Sequence, residues 1–97
     1  MNAEIIDYAQ AKALVEAGAQ LVDVRTPEEY EQLYVGGDNL PLDEVLERYE
    51  AVLGADKERA IVLFCRSGNR SQKAATLLRG LGYHQLFDLQ SYSNWQG

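Results

Sequence analysis

The sequence predicts an α/β fold in three layers, with a central, mostly parallel sheet of four or five strands sandwiched between helices. Three observations carry that expectation. Short β-rich runs alternate with helical patterns along the chain, the signature of parallel strands joined by helical crossovers. One of those runs, Ala60 to Phe64, is continuously apolar, as in a strand buried on both faces at the centre of such a sheet. The 97 residues contain no repeats or linker-like tracts and suffice for one compact domain over residues 1–97 with a core of its own.

Each element follows from local signals. Asp7 with Gln10 three residues on marks a helix start, and Ala11, Leu14 and Val15 line one face until Gly18 offers a stop. Gln20 to Val24 reads as a strand. Thr26-Pro27-Glu28-Glu29 combines an N-cap hydroxyl, a proline at the first helical position and an acid at the third, and predicts a short helix to about Leu33. Gly36 to Asn39 reads as a turn or loop. Pro41 leads into a third helix whose apolar face is Leu42, Val45, Leu46, Tyr49, Val52 and Leu53, with Gly54 ending it. After the Ala60–Phe64 strand the segment to Ser71 is polar, and Ala74, Leu77, Leu78 and Leu81 then mark another amphipathic helix that ends near Gly80 and Gly82. Leu86 to Leu89 is a last short strand, and Tyr92 to Trp95 a terminal turn packed on the body.

Composition narrows the function classes. A single cysteine excludes a disulfide framework and leaves a thiol that is either a buried small hydrophobe or a reactive group suited to a reducing compartment. No apolar run approaches the roughly 20 residues of a membrane span, and the start lacks the basic-then-apolar pattern of a secretory signal, so a soluble, cytoplasmic protein is expected. The formal net charge of -6 divides unevenly: residues 1–58 carry -10 and residues 59–97 carry +4. Overall acidity argues against nucleic acid as a partner, whereas the basic groups near the cysteine favour a small anion held locally. Lys57 and Arg79 read as solvating charges.

The chemistry concentrates at one junction. Cys65 closes the central strand, and Arg66-Ser67-Gly68-Asn69-Arg70-Ser71 leads straight into a helix. In open α/β sheets ligands bind outside the carboxyl ends of the strands, so a site is expected there on topology alone. The helix N-terminus directs unpaired N–H groups and partial positive charge at the sulfur, and Gly68 lets successive amides converge as an anion nest. Such surroundings favour the thiolate, so no separate general base is required. An inert cysteine at a strand end is the plainer alternative. Its position, the glycine and the two flanking arginines argue against it.

Two motifs resemble those of rhodanese-homology domains: Leu21-Val22-Asp23-Val24-Arg25 followed by Thr26-Pro27-Glu28-Glu29-Tyr30, and Cys65-Arg66-Ser67-Gly68-Asn69-Arg70-Ser71, in the family's order and distance over essentially the whole chain. The resemblance implies a rhodanese-like fold and a sulfurtransferase. Cys65 would take a sulfane sulfur from a small anionic donor such as thiosulfate, become a persulfide, and pass the sulfur to an external thiol, cyanide or a protein acceptor. No metal, cofactor or membrane is implied. Arg66, Ser67, Gly68, Asn69, Arg70 and Ser71 would cradle the persulfide, Arg66 adding charge. Arg70 would brace the loop with Asp23 as its expected carboxylate partner, Arg25 would be a second brace, and Ser71 a helix cap. Cysteine phosphatases and arsenate reductases, which are similar in fold, place five residues between Cys and Arg; here four lie between Cys65 and Arg70, a cradle sized for one sulfur atom. Phosphatases also typically have His before the Cys where this chain has Phe64, and arsenate reduction needs further thiols. The different-class alternative is a persulfide carrier or interaction module loaded by a partner through the acidic stretch of residues 28–58.

The chain also departs from the family's pattern. Gln32-Leu33-Tyr34-Val35-Gly36-Gly37 replaces a common Gly-His-Ile-Pro-Gly-Ala, and Gln90-Ser91 stands where a Gly-Gly pair commonly follows the last strand. Both changes fall in loops able to shape the pocket rim. Tyr34, Tyr92 and Trp95 either line that rim or pack on the body, and His84 has no assigned role.

Overall fold

Two capping boxes start the first two helices. The Asp7 side chain accepts the Gln10 N–H while the Gln10 side chain accepts the Asp7 N–H, and Thr26 and Glu29 do the same one helix later, behind Pro27 at the first helical position. These fix α1 (Tyr8–Glu16) and α2 (Pro27–Gln32) in a computed structural model that describes residues 3–97. The remaining elements are β1 (Glu4–Ile5), β2 (Gln20–Asp23), β3 (Asp38–Asn39), a 3₁₀ turn (Leu42–Glu44), α3 (Val45–Leu53), β4 (Ala60–Cys65), α4 (Asn69–Gly80), β5 (Gln85–Ser91) and a terminal 3₁₀ turn (Tyr92–Asn94).

The five strands form one sheet in the order β1-β5-β4-β2-β3, and every pairing is parallel. The apolar run of β4 lies at the centre, with Ile61 to Cys65 all buried, as its continuous hydrophobicity requires. Its alternate residues serve two cores. Ile61, Leu63 and Cys65 pack with Val22, Val24, Val45, Leu53, Ala74, Ala75 and Leu78 under α3 and α4. Val62 and Phe64 face Ile6, Ala11, Leu21 and Leu89, with Leu14, Val15 and Trp95 against them from α1 and the terminal turn.

The structure corrects the sequence expectations in three places. Two further strands, β1 and β3, lie outside those the sequence marks; each is two residues long, and the Gly-Gly-Asp-Asn composition around Asp38–Asn39 is that of a turn. The third helix begins at Val45, after the 3₁₀ turn, and its Leu46 points to solvent at 63% exposure instead of joining the apolar face. Finally, β5 reaches Ser91 and carries a bulge: Leu63 pairs with Asp88 but Phe64 pairs with Gln90, so Leu89 is the extra residue. Gln90 consequently has φ +71°, the only positive value at a non-glycine among the described residues.

Candidate active site

Because the sheet is all parallel, the carboxyl ends of β2 and β4 lie side by side, with Asp23 paired to Phe64 immediately before Cys65. Cys65 is fully buried. Its Sγ accepts the backbone N–H of Gly68 at 3.0 Å and that of Ser71 at 3.4 Å, and Ser71 Oγ lies 3.6 Å away while donating to the Gly68 carbonyl at 3.0 Å. Gly68 holds this curl at φ +98°, where a side chain would be strained, and it is itself the N-cap of α4. Ser71, expected as the cap, is instead the third residue of that helix; the tight turn at Gly68 starts α4 three residues earlier. Of the six residues expected to form the cradle, Gly68 and Ser71 donate to the sulfur, while Arg66, Ser67 and Asn69 are exposed around it.

Arg70 does not pair with Asp23. Its Nη1 and Nη2 form a two-pronged bridge to the Glu29 carboxylate at 2.6 and 3.1 Å. The Asp23 carboxylate, fully buried, is already occupied by Arg25, which donates from its backbone N at 2.9 Å, from Nε at 3.0 and 2.9 Å and from Nη2 at 2.7 Å. Two residues of separation let one arginine saturate that carboxylate locally, leaving Arg70 to reach across to α2. The Arg70 hydrogen bond and then the Thr26 N–H hold the Glu29 carboxyl down to about 2, and Glu29 in turn raises Arg70 above its ordinary value. Sequence reasoning missed Glu29 as a site residue. Its signal was present in the capping box, which fixes an acid at the third helical position just beyond β2.

Arg25 also donates to the Leu33 carbonyl at 2.7 Å and lies over the Tyr92 ring at 5.1 Å, so it ties the end of β2 to the end of α2 and to the terminal turn. Asn39 Nδ2 completes the clamp with bonds to the carbonyls of Asp23 and Arg25, each at 3.0 Å. Between these parts opens a cleft of about 200 Å³ lined by Arg25, Glu29, Gln32, Leu33, Arg66 and Tyr92. Tyr92 thus lies at the rim, Trp95 packs edge-on to Tyr8 at 5.5 Å, and Tyr34 is 63% exposed against Tyr30. His84 precedes β5 at the opposite end of the sheet and bridges Glu58 at 2.9 Å. The arrangement can hold negative charge on one buried sulfur, and of the two arginines that line the cleft Arg25 is spent on Asp23 while Arg66 is exposed.

Known proteins resemble this chain in sequence and fold. A family model for the rhodanese-like domain matches residues 7–97. Thiosulfate sulfurtransferase PspE of Escherichia coli is 39% identical over 69% of this chain and 64% of its own length, slightly under two thirds. Thiosulfate sulfurtransferase GlpE of Pseudomonas syringae is 38% identical over 82% of this chain and 74% of its own. Among solved structures, the human single-domain sulfurtransferase TSTD1 superposes with a TM-score of 0.74 at 29% identity, covering 89% of this chain and 88% of that one. A rhodanese with anions from E. coli gives 0.72 at 32% identity, over 79% and 91%.

Proposed function

The chain belongs to the rhodanese-like domain family, and from that premise we propose that it is a thiosulfate-type sulfurtransferase working as one domain through a Cys65 persulfide. The observation that carries this reading is the convergence of the Gly68 and Ser71 N–H groups on the Cys65 sulfur at 3.0 and 3.4 Å. The Cys65 thiolate attacks the sulfane sulfur of the donor; the new S–S bond forms as the donor's own S–S bond breaks, and sulfite leaves with the electron pair. An acceptor thiolate or cyanide then attacks the outer sulfur and releases the Cys65 thiolate. With one cysteine in the chain, no second thiol resolves the persulfide internally, so the acceptor is external and the mechanism is ping-pong.

The other residues take supporting roles. Arg66, exposed at the cleft, draws the anionic donor in. The Arg70–Glu29 bridge holds the first turn of α4 against α2, and the Asp23–Arg25 pair anchors the adjoining strand end. Because Cys65 is fully buried, a donor reaches its sulfur only when the loop over it moves. A lone free thiol fits a reducing compartment such as the cytoplasm.

Intact mass spectrometry after thiosulfate and then cyanide tests the reading. The wild type gains one sulfur and loses it to cyanide with thiocyanate release, and Cys65→Ser gains none. Sulfur gain by Cys65→Ser overturns the mechanism. The burial of Cys65 favours a second reading, a persulfide carrier whose loop is opened by a loading partner. That reading predicts no gain from free thiosulfate, and a gain of one sulfur once the persulfide-bearing partner is added.

A further inference from the structure

Gln90 occupies a position that its own chemistry disfavours. A φ of +71° suits glycine, yet here it carries a glutamine beside the active-site loop. Two contacts of Asp88 keep it there. The Asp88 carboxylate is fully buried; its Oδ1 accepts the Gln90 N–H at 2.8 Å and its Oδ2 accepts the Gln72 side-chain amide. Gln72 belongs to the first turn of α4, and its backbone N donates to the Gly68 carbonyl at 3.2 Å. One carboxylate therefore links the β5 bulge to the helix start on either side of Gly68. The Gln90 side chain fills the space between: a methyl group placed on Gly68 would lie 3.1 Å from Gln90 Cβ and 3.4 Å from its Cγ. Gly68 in turn gives the shorter of the two N–H bonds to Cys65 Sγ.

We propose that Gln90 is a positioning residue for the sulfur site: held in its left-handed conformation by Asp88 and Gln72, it sets the Gly68 N–H against Cys65. The role rests on Cys65 being the reactive group of the proposed sulfurtransferase, but it concerns the thiol's surroundings and is tested without sulfur transfer. Removing the side chain lets the Gly68 amide drift from the sulfur, which weakens the hold on negative charge there without closing access to the thiol.

The test is the rate of Cys65 alkylation by iodoacetamide as a function of pH, in the whole chain, for wild type, Gln90→Gly and Gln90→Asn. Glycine keeps the backbone conformation and removes Cβ. Asparagine, tolerant of positive φ, keeps Cβ. Both changes are neutral, so the charged groups around this loop, Arg66, Arg70, Asp23, Arg25, Glu29, Asp43 and Asp88, stay as they are. In Gln90→Gly the pH of half-maximal rate rises by about one unit, the scale of one hydrogen bond to a charged sulfur, while the plateau rate at high pH does not fall. Gln90→Asn restores the wild-type midpoint. Because glycine is the residue best suited to this φ, Gln90→Gly folds, and thermal unfolding within a few degrees of wild type verifies it. An unshifted or lowered midpoint in Gln90→Gly, or a midpoint in Gln90→Asn that matches it, overturns the proposal. Failure of the sulfurtransferase reading would show separately, as absence of a thiosulfate-dependent mass gain in the wild type.

Discussion

At the scale of single residues, the site depends on two ion pairs of different kinds. The Arg70–Glu29 bridge is only partly exposed, at 30% and 26%, and its two bonds give it about 1 kcal/mol, the upper end for such pairs. Its pH dependence follows from the Glu29 carboxyl being held down to about 2 from an ordinary 4.5. A group lowered in the folded state contributes fully above its unfolded value and loses that contribution as pH falls through the folded one. Urea unfolding of wild type against Glu29→Gln should therefore differ by a constant amount above about pH 5, with the difference gone near pH 2. The same variant should slow sulfur transfer several-fold at neutral pH by freeing Arg70. The Asp23–Arg25 pair is fully enclosed, and Arg25→Ala, which strands a buried carboxylate, should cost about 3–5 kcal/mol in the same urea measurement. Of the six residues expected as the cradle, the two that donate to the sulfur, Gly68 and Ser71, were legible because Cys65 to Ser71 is one contiguous segment running from strand to helix. The pairing of Arg70 was not, since Glu29 is 41 residues away and only the side-by-side ends of β2 and β4 bring the helices that follow them within reach.

Elements with strong local signals read correctly: α1 and α2 from their capping boxes, β4 from its apolar run, α4 from its spacing of Ala74, Leu77, Leu78 and Leu81. Those defined by their neighbours did not. β1 and β3 exist because β5 and β2 offer them hydrogen bonds, and two residues carry no periodicity of their own. The bulge in β5 is equally silent, since nothing local marks Leu89 as the residue without a partner. A glycine ahead of β3 shows how much one such element matters. A Cβ on Gly37 would lie 2.3 Å from the Leu21 carbonyl oxygen, at φ +76°. Gly37→Ala should cost about 3 kcal/mol in chemical denaturation, and it should lower sulfur transfer too, because β3 carries the Asn39 that clamps Asp23 and Arg25. Inserting one residue between Gly68 and Arg70 should abolish persulfide formation with little loss of thermal stability, since it displaces the Ser71 N–H from the sulfur while β4 and the body of α4 remain packed.

For the whole molecule, the order β1-β5-β4-β2-β3 was beyond local pattern, but parallel pairing was implied by alternation and brings every strand-to-helix junction to one end of the sheet. The charge division, -10 over residues 1–58 and +4 over residues 59–97, separates the two functional readings. If a partner loads Cys65 by docking on the acidic α2 and α3 region, transfer from that partner should fall several-fold between low and physiological ionic strength, whereas turnover of thiosulfate should depend on Cys65 and Arg66. The short outer strands have a consequence for behaviour in bulk. β1 and β3 are the borders of the sheet, and each presents only two residues of open ladder, against seven in β5, the longest strand within it. Among the described residues, a second copy therefore meets only two residues of ladder at either border, a short template for edge-to-edge pairing.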